Sequence, residues 1–352
     1  MMQSDKIPAQ LGRFLDSGAF YRLSPDRIRL YWDPWKAAGE NFHLAFQEFF
    51  GSELKGYLAA EVQEFTRGDL IRFLEPALGG TQNWKRGQFE EPAKIHFEQA
   101  FQVIQGKIQR GEIEKAVPIV FAKSTARPNA FDLAGSLLNL LGLPLELSVF
   151  GFWDSGRGVM GATPEILFHR KALMLQTVAL AGTCPREELE TRIPLLLDPK
   201  EMREHELVVN DIVARLKPLG WLKKYDTEVL ELPTMQHLRT RFEVSGITKR
   251  DSELVKLLHP TPALGVAPRA YGHQWMRELP EQKDRGLFGA PLLFCLGTDE
   301  TLAMVAIRSI LWDEAGSRVG SGCGVVGSSE FDREWNELAV KRESVYKMLG
   351  LK

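Results

Sequence analysis

The sequence predicts a mixed α and β fold, in which helices surround a sheet that is largely antiparallel. Short apolar segments typical of strands recur from about residue 113 onwards, and longer segments with helical spacing lie at about 91–110, 199–217 and 331–349. Strands and helices do not alternate regularly, as a doubly wound parallel sheet would require. A length of 352 residues is compatible with two lobes or with one large fold.

Predicted strands bounded by turn-forming residues account for most of the chain after residue 112. The segment IEKAVPIVFAKS, at 113–124, is interpreted as one strand. Further strands are predicted at about 146–152, 158–161, 165–170, 173–181, 239–246, 291–297, 302–312 and 317–326. The helix at about 199–217 begins after Asp198 and ends before Pro218 and Gly220, which are typical start and stop signals.

The composition is that of an ordinary globular protein, with 44% hydrophobic, 10% aromatic and 26% charged residues. This excludes a disordered chain, a collagen-like fibre and a small disulfide scaffold. Lys and Arg number 44 against 46 Asp and Glu, which leaves a formal charge of −2. Because there is no basic excess, we expect binding neither to nucleic acid nor to an anionic membrane.

Cysteine usage and the absence of a targeting segment indicate a cytoplasmic protein. Cys184, Cys295 and Cys323 are odd in number and lack CxxC spacing, which favours reduced thiols. The first residues, MMQSDKIPAQLGRF, have no apolar core of the kind that signal peptides carry. The apolar stretch 133–153 contains Pro144, and we interpret it as a short helix at about 131–142 followed by a buried strand.

Two pairs of glutamates are candidate functional residues. Glu201 and Glu204 are three apart on one predicted helix, and Glu334 and Glu337 are three apart on the last helix, with Lys341 one turn further on. Either pair alone is typical of a solvated helix face. If the fold brings the four together, their repulsion requires a cation, and carboxylate oxygens suit Mg²⁺.

The glycine-rich stretch GSGCGVVG, at 320–327, contains a formal GxGxxG from Gly322 to Gly327. A dinucleotide-binding site would need a second parallel strand after it, whereas residues 328–352 are predicted to form one helix. We therefore reject that interpretation. These glycines allow the backbone to approach a small ligand or form a tight turn.

Several single residues have both a structural and a functional interpretation. Glu165 ends the turn Gly-Ala-Thr-Pro-Glu and is either an exposed acid or part of a site. Lys115 and Arg308 are cations in apolar runs, and Arg308 either pairs with a buried acid or binds an anionic ligand. His237 and His259 lack the spacing of metal ligands.

Nine segments, in order along the chain, together resemble the chorismate-binding enzyme family, which includes isochorismate, salicylate, anthranilate and aminodeoxychorismate synthases. The segments are GATPEILF, TVALAGTCPR, KEMREHELVVNDI, LPTMQHL, LLHPTPAL, EQKDRGLFGAP, VAIRS, SGCGVVGSS and EFDREWNELAVK. They cover about residues 110–350, and residues 1–109 are a more divergent N-terminal part. The resemblance implies one large α/β domain over 1–352, with a β-sandwich wrapped by helices and an active site in a deep cleft.

The resemblance also implies Mg²⁺ and the dicarboxylate chorismate as ligands. Glu201, Glu204, Glu334 and Glu337 match the family's four acidic metal residues. The positions that match the family's substrate-binding residues are Gly182, Thr183, His237, Ala263, Leu264, Arg308, Gly322, Gly324 and Lys341. Among these, Arg308 matches the arginine that binds one substrate carboxylate, and Gly182 and Thr183 match a loop beside the substrate ring.

Within the family, the residues favour isochorismate synthesis, which adds water at one ring carbon and expels hydroxide from another. Lys115 matches the lysine base and Glu165 the glutamate acid of isochorismate and salicylate synthases. Aminodeoxychorismate synthases carry a lysine where this chain has Ala181, and Ala263-Leu264 resembles isochorismate synthases. A salicylate synthase, an amine-adding synthase and a catalytically impaired chorismate-binding protein remain alternatives.

Two positions depart from the family pattern. Pro118 interrupts the strand that carries the lysine, so a shifted alignment would nominate Lys123 in place of Lys115; the two share strand parity. Val266 replaces a family glycine, although Gly265 lies beside it. We expect a product that enters menaquinone or siderophore biosynthesis, and no obligatory protein partner.

Overall fold

The computed structural model describes residues 7–191 and 193–352. The α-helices are α1 Ala9–Asp16, α2 Arg67–Leu74, α3 Lys94–Gln109, α4 Ala130–Leu141, α5 Pro199–Leu216, α6 Asp251–Leu258 and α7 Phe331–Leu349. The strands are β1 Gly18–Ser24, β2 Arg27–Ala38, β3 Leu44–Phe46, β4 Lys55–Thr66, β5 Lys115–Ala116, β6 Ile119–Ser124, β7 Ser148–Asp154, β8 Arg157–Thr163, β9 Ile166–Lys171, β10 Met174–Pro185, β11 Trp221–Lys224, β12 Glu228–Glu231, β13 Met235–Ser245, β14 Val266–Ala267, β15 Pro291–Gly297, β16 Glu300–Val305, β17 Ser309–Asp313, β18 Gly316–Gly322 and β19 Val325–Val326.

The strands form two antiparallel sheets. A 16-stranded sheet runs in the order β11-β13-β10-β9-β16-β15-β3-β4-β2-β1-β7-β8-β17-β18-β6, with β12 paired to β13. A small sheet of three short strands has the order β14-β5-β19. The predicted mixed fold with a large antiparallel sheet is therefore confirmed, and the small sheet is an addition that the sequence patterns did not indicate.

The helix α5 begins where the sequence signals predicted. The Asp198 side chain accepts hydrogen bonds from the backbone N–H groups of Lys200 and Glu201, at 3.0 and 3.2 Å, which satisfies two of the free donors of the first turn. The apolar face of α5 packs on β10 and β13 through buried side chains such as Ile212 and Leu216. Its first turn lies against β10, where a Cβ at Gly182 would stand 3.0 Å from the Glu201 carbonyl oxygen.

The helix α7 covers the predicted residues, 331–349, and ends at Gly350 in the left-handed region with φ 72°. Its C-terminal half packs against α4 and β18, with Val345 and Leu349 in the same apolar cluster as Leu137 of α4. The apolar stretch 133–153 divides between α4 and β7 as predicted. Within the described residues, no helix combines the length and the apolar character needed to span a membrane.

Three predicted strands are each broken in two. The segment 113–124 divides at Pro118, which lacks the N–H that a continuing ladder needs, into β5 of the small sheet and β6 of the large one. The segment 302–312 divides at Arg308, whose φ is +51°. The segment 317–326 divides between β18 and β19, again with one part in each sheet.

Candidate functional site

The small sheet places Lys115 beside the glycine-rich stretch. In this sheet β5 lies in the middle, with Lys115 opposite Ala267 on one side and Val326 on the other. Because β6 belongs to the other sheet, shared parity does not bring Lys115 and Lys123 to the same surface. The Lys115 side chain has no solvent exposure, whereas Lys123 is exposed. Of the two lysines left open by the sequence, only Lys115 lies at the site.

Lys115 forms a buried ion pair with Glu204, with 2.9 Å between Nζ and Oε1. Gly324, just before β19, lies against this pair. A Cβ at that position would stand 2.1 Å from Glu204 Oε1 and 2.7 Å from Lys115 Cε, both far inside van der Waals contact. The glycine is therefore required so that the backbone can approach the two charged side chains.

Glu165 lies between β8 and β9 and is 4% exposed, so the alternative of an exposed acid in a turn is wrong. The Thr261 hydroxyl donates a hydrogen bond to its Oε1 at 3.4 Å. Burial raises the pKa of Glu165 from an ordinary value of 4.5 to about 7, against the opposing effect of the Lys115 charge. At neutral pH this carboxyl is therefore able both to release and to take up a proton.

The structure brings the two glutamate pairs together between the first turns of α5 and α7. All four side chains are buried or nearly so, with Glu201 and Glu334 1% exposed. The Nζ of Lys200 lies between the helices, 2.9 Å from Glu334 Oε1, 3.3 Å from Glu201 Oε1 and 3.5 Å from Glu204 Oε2. We call these four glutamates and Lys200 the carboxylate cluster.

Two further cations surround this cluster. Arg333 Nη2 lies 3.0 Å from Glu201 Oε1. Lys341 Nζ pairs with Glu337 Oε1 at 2.5 Å and donates a hydrogen bond to the carbonyl of Gly322 at 2.8 Å. The negative charges of the cluster are thus met by ammonium and guanidinium groups of the chain itself.

Burial and charge act in opposite directions on the pKa values of the cluster. Burial alone would raise the pKa of Glu204, but Lys115 and Lys200 outweigh it and lower that pKa to about 2. Burial raises the pKa of Glu201 to about 8 and also raises that of Glu334, in both cases more than Lys200 lowers it. The carboxylates of Glu201, Glu204 and Glu334 raise the pKa of Lys200 well above its ordinary value, against burial, which lowers it.

The donor chemistry of the cluster suits a hard divalent cation, because every candidate ligand is a carboxylate oxygen. The Oε2 atom of Glu334 is buried without a hydrogen-bond partner, so the cluster retains acceptor capacity. Within the described parts of the chain, no three His, Cys, Asp or Glu side chains are arranged closely enough to enclose a metal ion. The residues fit Mg²⁺ in kind, and the Lys200 ammonium lies among them.

Arg308 lies at the other side of the pocket with a different environment. Its Nη1 donates to Ser344 Oγ at 3.0 Å and its Nη2 contacts His237 Nε2 at 3.2 Å and the sulfur of Met235. Across the described ranges, no carboxylate lies within ion-pair distance of this guanidinium. Burial lowers its pKa to about 10. Glu337 acts on this charge only from beyond ion-pair distance, so among the described residues Arg308 is a desolvated cation without a direct ion pair.

His237, on β13, is held in its neutral form. Burial lowers its pKa well below the ordinary value, and the nearby charges of Arg308 and Lys341 act in the same direction. Since Arg308 Nη2 can only donate to Nε2, the ring proton is on Nδ1, which lies 3.1 Å from Thr183 Oγ1. His237 therefore links the arginine to strand β10.

One pocket connects most of the predicted residues. Its lining includes Glu165, Thr183, Glu204, His237, Ala263, Leu264, Arg308, Gly322, Gly324 and Lys341. Lys115 lies just behind Glu204 and Gly324, and the remaining glutamates extend from Glu204 into the carboxylate cluster.

Gly182 and Thr183 lie in strand β10 and not in a loop as expected. The register of β10 against β13 shifts between Ala181 and Thr183, and Gly182 takes a φ of +79°, which favours glycine. This bulge turns the Thr183 N–H towards Glu201, whose Oε2 accepts a hydrogen bond from it at 2.8 Å. The bulge thus ties the sheet to the carboxylate cluster.

The sequence interpretation missed several residues at the site, among them Lys200, Ser344, Thr261 and Arg333. Lys200 immediately precedes Glu201 and is four residues before Glu204, so helical spacing was a signal that could have found it. Ser344 comes three residues after Lys341 on α7, so helical spacing was again a possible signal. Its hydroxyl accepts a hydrogen bond from Arg308. Thr261, which contacts Glu165, comes from a distant loop and had no local signal.

Comparisons with known proteins point to one enzyme family. A family model described as chorismate binding enzyme matches residues 62–350. A salicylate biosynthesis isochorismate synthase of Pseudomonas aeruginosa is 29% identical over 304 residues, which cover 80% of this chain and 61% of that protein. The isochorismate synthase MenF of Bacillus subtilis is 35% identical over 211 residues, 57% of this chain and 44% of that protein.

The fold agrees with a solved structure, that of the menaquinone-specific isochorismate synthase MenF from Escherichia coli. The TM-score is 0.78 with 22% sequence identity, over 99% of this chain and 92% of the other. The matched regions span less than two thirds of the length of the two curated relatives. The extent of the family match, together with the shared fold, shows that this chain belongs to the chorismate-binding enzyme family.

Proposed function

We propose that this protein is an isochorismate synthase, which isomerises chorismate to isochorismate with the aid of Mg²⁺. The observation that carries the proposal is a buried carboxyl with a pKa near 7, Glu165, that lines the pocket, with the buried Lys115 directly behind the pocket residues Glu204 and Gly324 and near enough for its charge to act on that pKa. This isomerisation needs a base that takes a proton from water and an acid that gives a proton to the leaving hydroxyl.

In this reaction a water molecule forms a bond to one ring carbon while the hydroxyl on another ring carbon leaves and the ring double bonds shift. The ammonium of Lys115 must first release its proton to solvent, and its neutral Nζ then takes one proton from the attacking water. Glu165 gives one proton to the departing hydroxyl, so that water leaves. One water is consumed and one released, and the contact of Lys115 with Glu204 fixes the position of Nζ.

Glu201, Glu204, Glu334 and Glu337 would hold the Mg²⁺. When bound, the ion neutralises the carboxylates and offers a positive charge to one carboxylate of the substrate. Two contacts orient the glutamates: the Thr183 N–H donates to Glu201, and Lys341 pairs with Glu337.

Arg308 is assigned to the second carboxylate of the substrate. A guanidinium that is buried and lacks an anionic partner binds a carboxylate with two parallel hydrogen bonds. The backbone amides near Gly322 and Gly324 approach the same group, with Lys341 beside them. Thr183, His237, Ala263 and Leu264 line the pocket and would form the walls around the substrate ring, with Gly182 next to Thr183 in β10.

One residue in the pocket wall argues against an aminodeoxychorismate synthase, which is one of the amine-adding enzymes. Ala181, which lines the pocket, stands where aminodeoxychorismate synthases carry a lysine. The salicylate synthase alternative uses the same Lys115 and Glu165 and differs in a further loss of pyruvate, so product analysis distinguishes it. A location in the cytoplasm, a product used for menaquinone or siderophores, and activity without an obligatory protein partner complete the proposal.

The test is incubation of the purified protein with chorismate and Mg²⁺, followed by chromatography of the products. Isochorismate alone is the expected result. Salicylate with pyruvate would indicate the lyase, and a product that appears only with ammonia would indicate an amine-adding synthase. Chorismate binding without turnover would contradict all three.

Substitution of the base supplies a second test. Lys115→Met is expected to lower kcat by at least about a hundredfold, the range of one general base, with a small change in KM. Since it also removes the partner of Glu204, chorismate binding by the variant is measured by calorimetry to show that the pocket remains formed. A variant with normal kcat would remove Lys115 from the mechanism.

A further inference from the structure

Lys200 connects the two helices that carry the carboxylate cluster. Its ammonium contacts Glu201 and Glu204 of its own helix and Glu334 of α7, all within 3.5 Å. Its side chain is 10% exposed, so these contacts are not those of a mobile surface lysine. No part of the proposed acid–base chemistry uses this residue.

The ammonium and a divalent cation require the same oxygen atoms. Three of the four glutamates assigned to Mg²⁺ are in contact with Lys200, while Glu337 is paired with Lys341. Mg²⁺ and the Lys200 ammonium cannot share the position between Glu201, Glu204 and Glu334, because they need the same oxygen atoms and would repel each other at a separation of a few ångströms. One must leave when the other binds.

Lys200 does not use all of the hydrogen-bond acceptors in the carboxylate cluster. The Oε2 atom of Glu334 has no hydrogen-bond partner although it is buried. A buried carboxylate oxygen normally has a partner, and an unsatisfied one costs free energy. A single ammonium with three donors leaves acceptor positions that an ion with six ligand positions would use.

We propose that Lys200 is an internal counter-cation, which holds the carboxylate cluster together before Mg²⁺ binds and is displaced when Mg²⁺ enters. The proposal rests on the Mg²⁺ site of the proposed function. Lys200 therefore lowers the affinity of the site for Mg²⁺ and at the same time stabilises the protein that has not bound the ion. It makes the connection between α5 and α7 independent of the supply of metal.

The first experiment compares the wild-type protein with Lys200→Met by calorimetric titration with MgCl₂, without chorismate. We expect the variant to bind Mg²⁺ at least about tenfold more tightly, since no internal cation competes. In EDTA the variant should melt at a lower temperature than wild type, and saturating Mg²⁺ should close this gap. Lys123→Met is the matched control, with the same change of charge at an exposed site, and should resemble wild type in both measurements.

The second experiment uses the wild-type protein, so that a variant that fails to fold does not decide the matter. Amines are labelled with an acetylating reagent, with and without MgCl₂, and the modification at each lysine is quantified by mass spectrometry. Displacement predicts that Mg²⁺ increases the labelling of Lys200 several-fold and leaves that of Lys123 unchanged.

Two results would overturn the proposal: equal or weaker Mg²⁺ binding by Lys200→Met, or Lys200 labelling that falls or stays constant with Mg²⁺. These failures are separate from that of the proposed function. If chorismate turnover requires Mg²⁺ but Lys200 does not respond to it, only the counter-cation is wrong. If turnover proceeds in EDTA, the Mg²⁺ site itself is wrong.

Discussion

The two sides of the pocket differ in whether their charged side chains are compensated by opposite charges. On one side the carboxylate cluster is neutralised within the protein, with Lys115 on Glu204, Lys200 between the helices and Lys341 on Glu337. On the other side Arg308 is buried, and in the described part of the chain it has only neutral contacts, Ser344 among them. The first side has cations of the chain on its carboxylates, with Glu334 Oε2 still without a hydrogen-bond partner, whereas the second side, within the described residues, has no anion in ion-pair contact.

This difference has an energetic meaning. Breaking a buried ion pair leaves an uncompensated charge, which is strongly destabilising. Removing a buried cation that has no ionic partner removes a desolvation cost and leaves no charge behind. The acidic side therefore contributes to stability, and the arginine side costs some stability, as expected if Arg308 has the proposed role of binding a substrate carboxylate.

The largest effect on stability is expected for Glu204→Gln. The change leaves the Lys115 ammonium buried without its carboxylate, which costs about 3–5 kcal/mol of the free energy of unfolding. Because Glu204 has a pKa of about 2, this contribution is fully present above the ordinary value of 4.5 and is lost as pH falls towards 2. Urea denaturation at pH 7 checks the magnitude, and a variant as stable as wild type would show that the pair contributes nothing.

Arg308→Met is expected to have the opposite signature. Loss of a buried partner for a substrate carboxylate costs about 2–5 kcal/mol in binding, so KM for chorismate should rise about thirtyfold or more. The free energy of unfolding should stay the same or rise, because the buried charge is gone. Steady-state kinetics and urea denaturation are measured on the same preparation. A large loss of stability in this variant would abolish the contrast between the two sides.

Glu165→Gln tests a residue that lies between these extremes. The native pKa of about 7 exceeds the ordinary 4.5, so stability from this group is complete below pH 4.5 and is lost as pH rises to about 7. The loss amounts to about 3 kcal/mol at 1.36 kcal/mol per pH unit. Relative to wild type, the Gln variant should therefore gain stability between pH 5 and pH 8 while its turnover is strongly reduced.

Two outcomes would count against this interpretation of Glu165. One is a difference in unfolding free energy between the variant and wild type that does not change with pH. The other is wild-type turnover that shows no decline as pH rises above about 7, where the acid form is lost.

The smallest effect is expected for Lys123→Ala. Its side chain is exposed on β6, away from the pocket, so kcat should stay within about twofold and stability within about 0.5 kcal/mol. Product chromatography with chorismate provides the kinetic measurement. A severe loss of turnover would transfer the role of the base from Lys115 to Lys123.

Much of the site was accessible from local patterns. Helical spacing placed Glu201 with Glu204 and Glu334 with Glu337 on common faces, and α7 has the predicted bounds. The motifs in their order along the chain led to the family, which the comparisons confirm. Local spacing also contained the signal for Lys200, but a lysine beside two glutamates on a helix is ordinary, so the signal carried little weight.

The different positions of Lys115 and Lys123 show why other parts of the site could not be predicted from the sequence. Alternation along a single strand places both on one face, and only the division at Pro118 into two sheets separates them. That division depends on pairing between β5, β14 and β19, segments that are far apart in the chain. Pairing between distant segments leaves no mark in the periodicity of either segment.

The sequence by itself determined the class of fold, the helices that carry the acids and the residue types available for the chemistry, because these follow from periodicity and local spacing. Only the tertiary structure decided which charges are compensated. It placed Lys200 among the glutamates, and it placed Arg308, whose φ is +51°, in the lining of the pocket. Burial and electrostatic partnership depend on atoms brought together from distant parts of the chain, and these determine the raised pKa of Glu165 and the lowered pKa of Arg308.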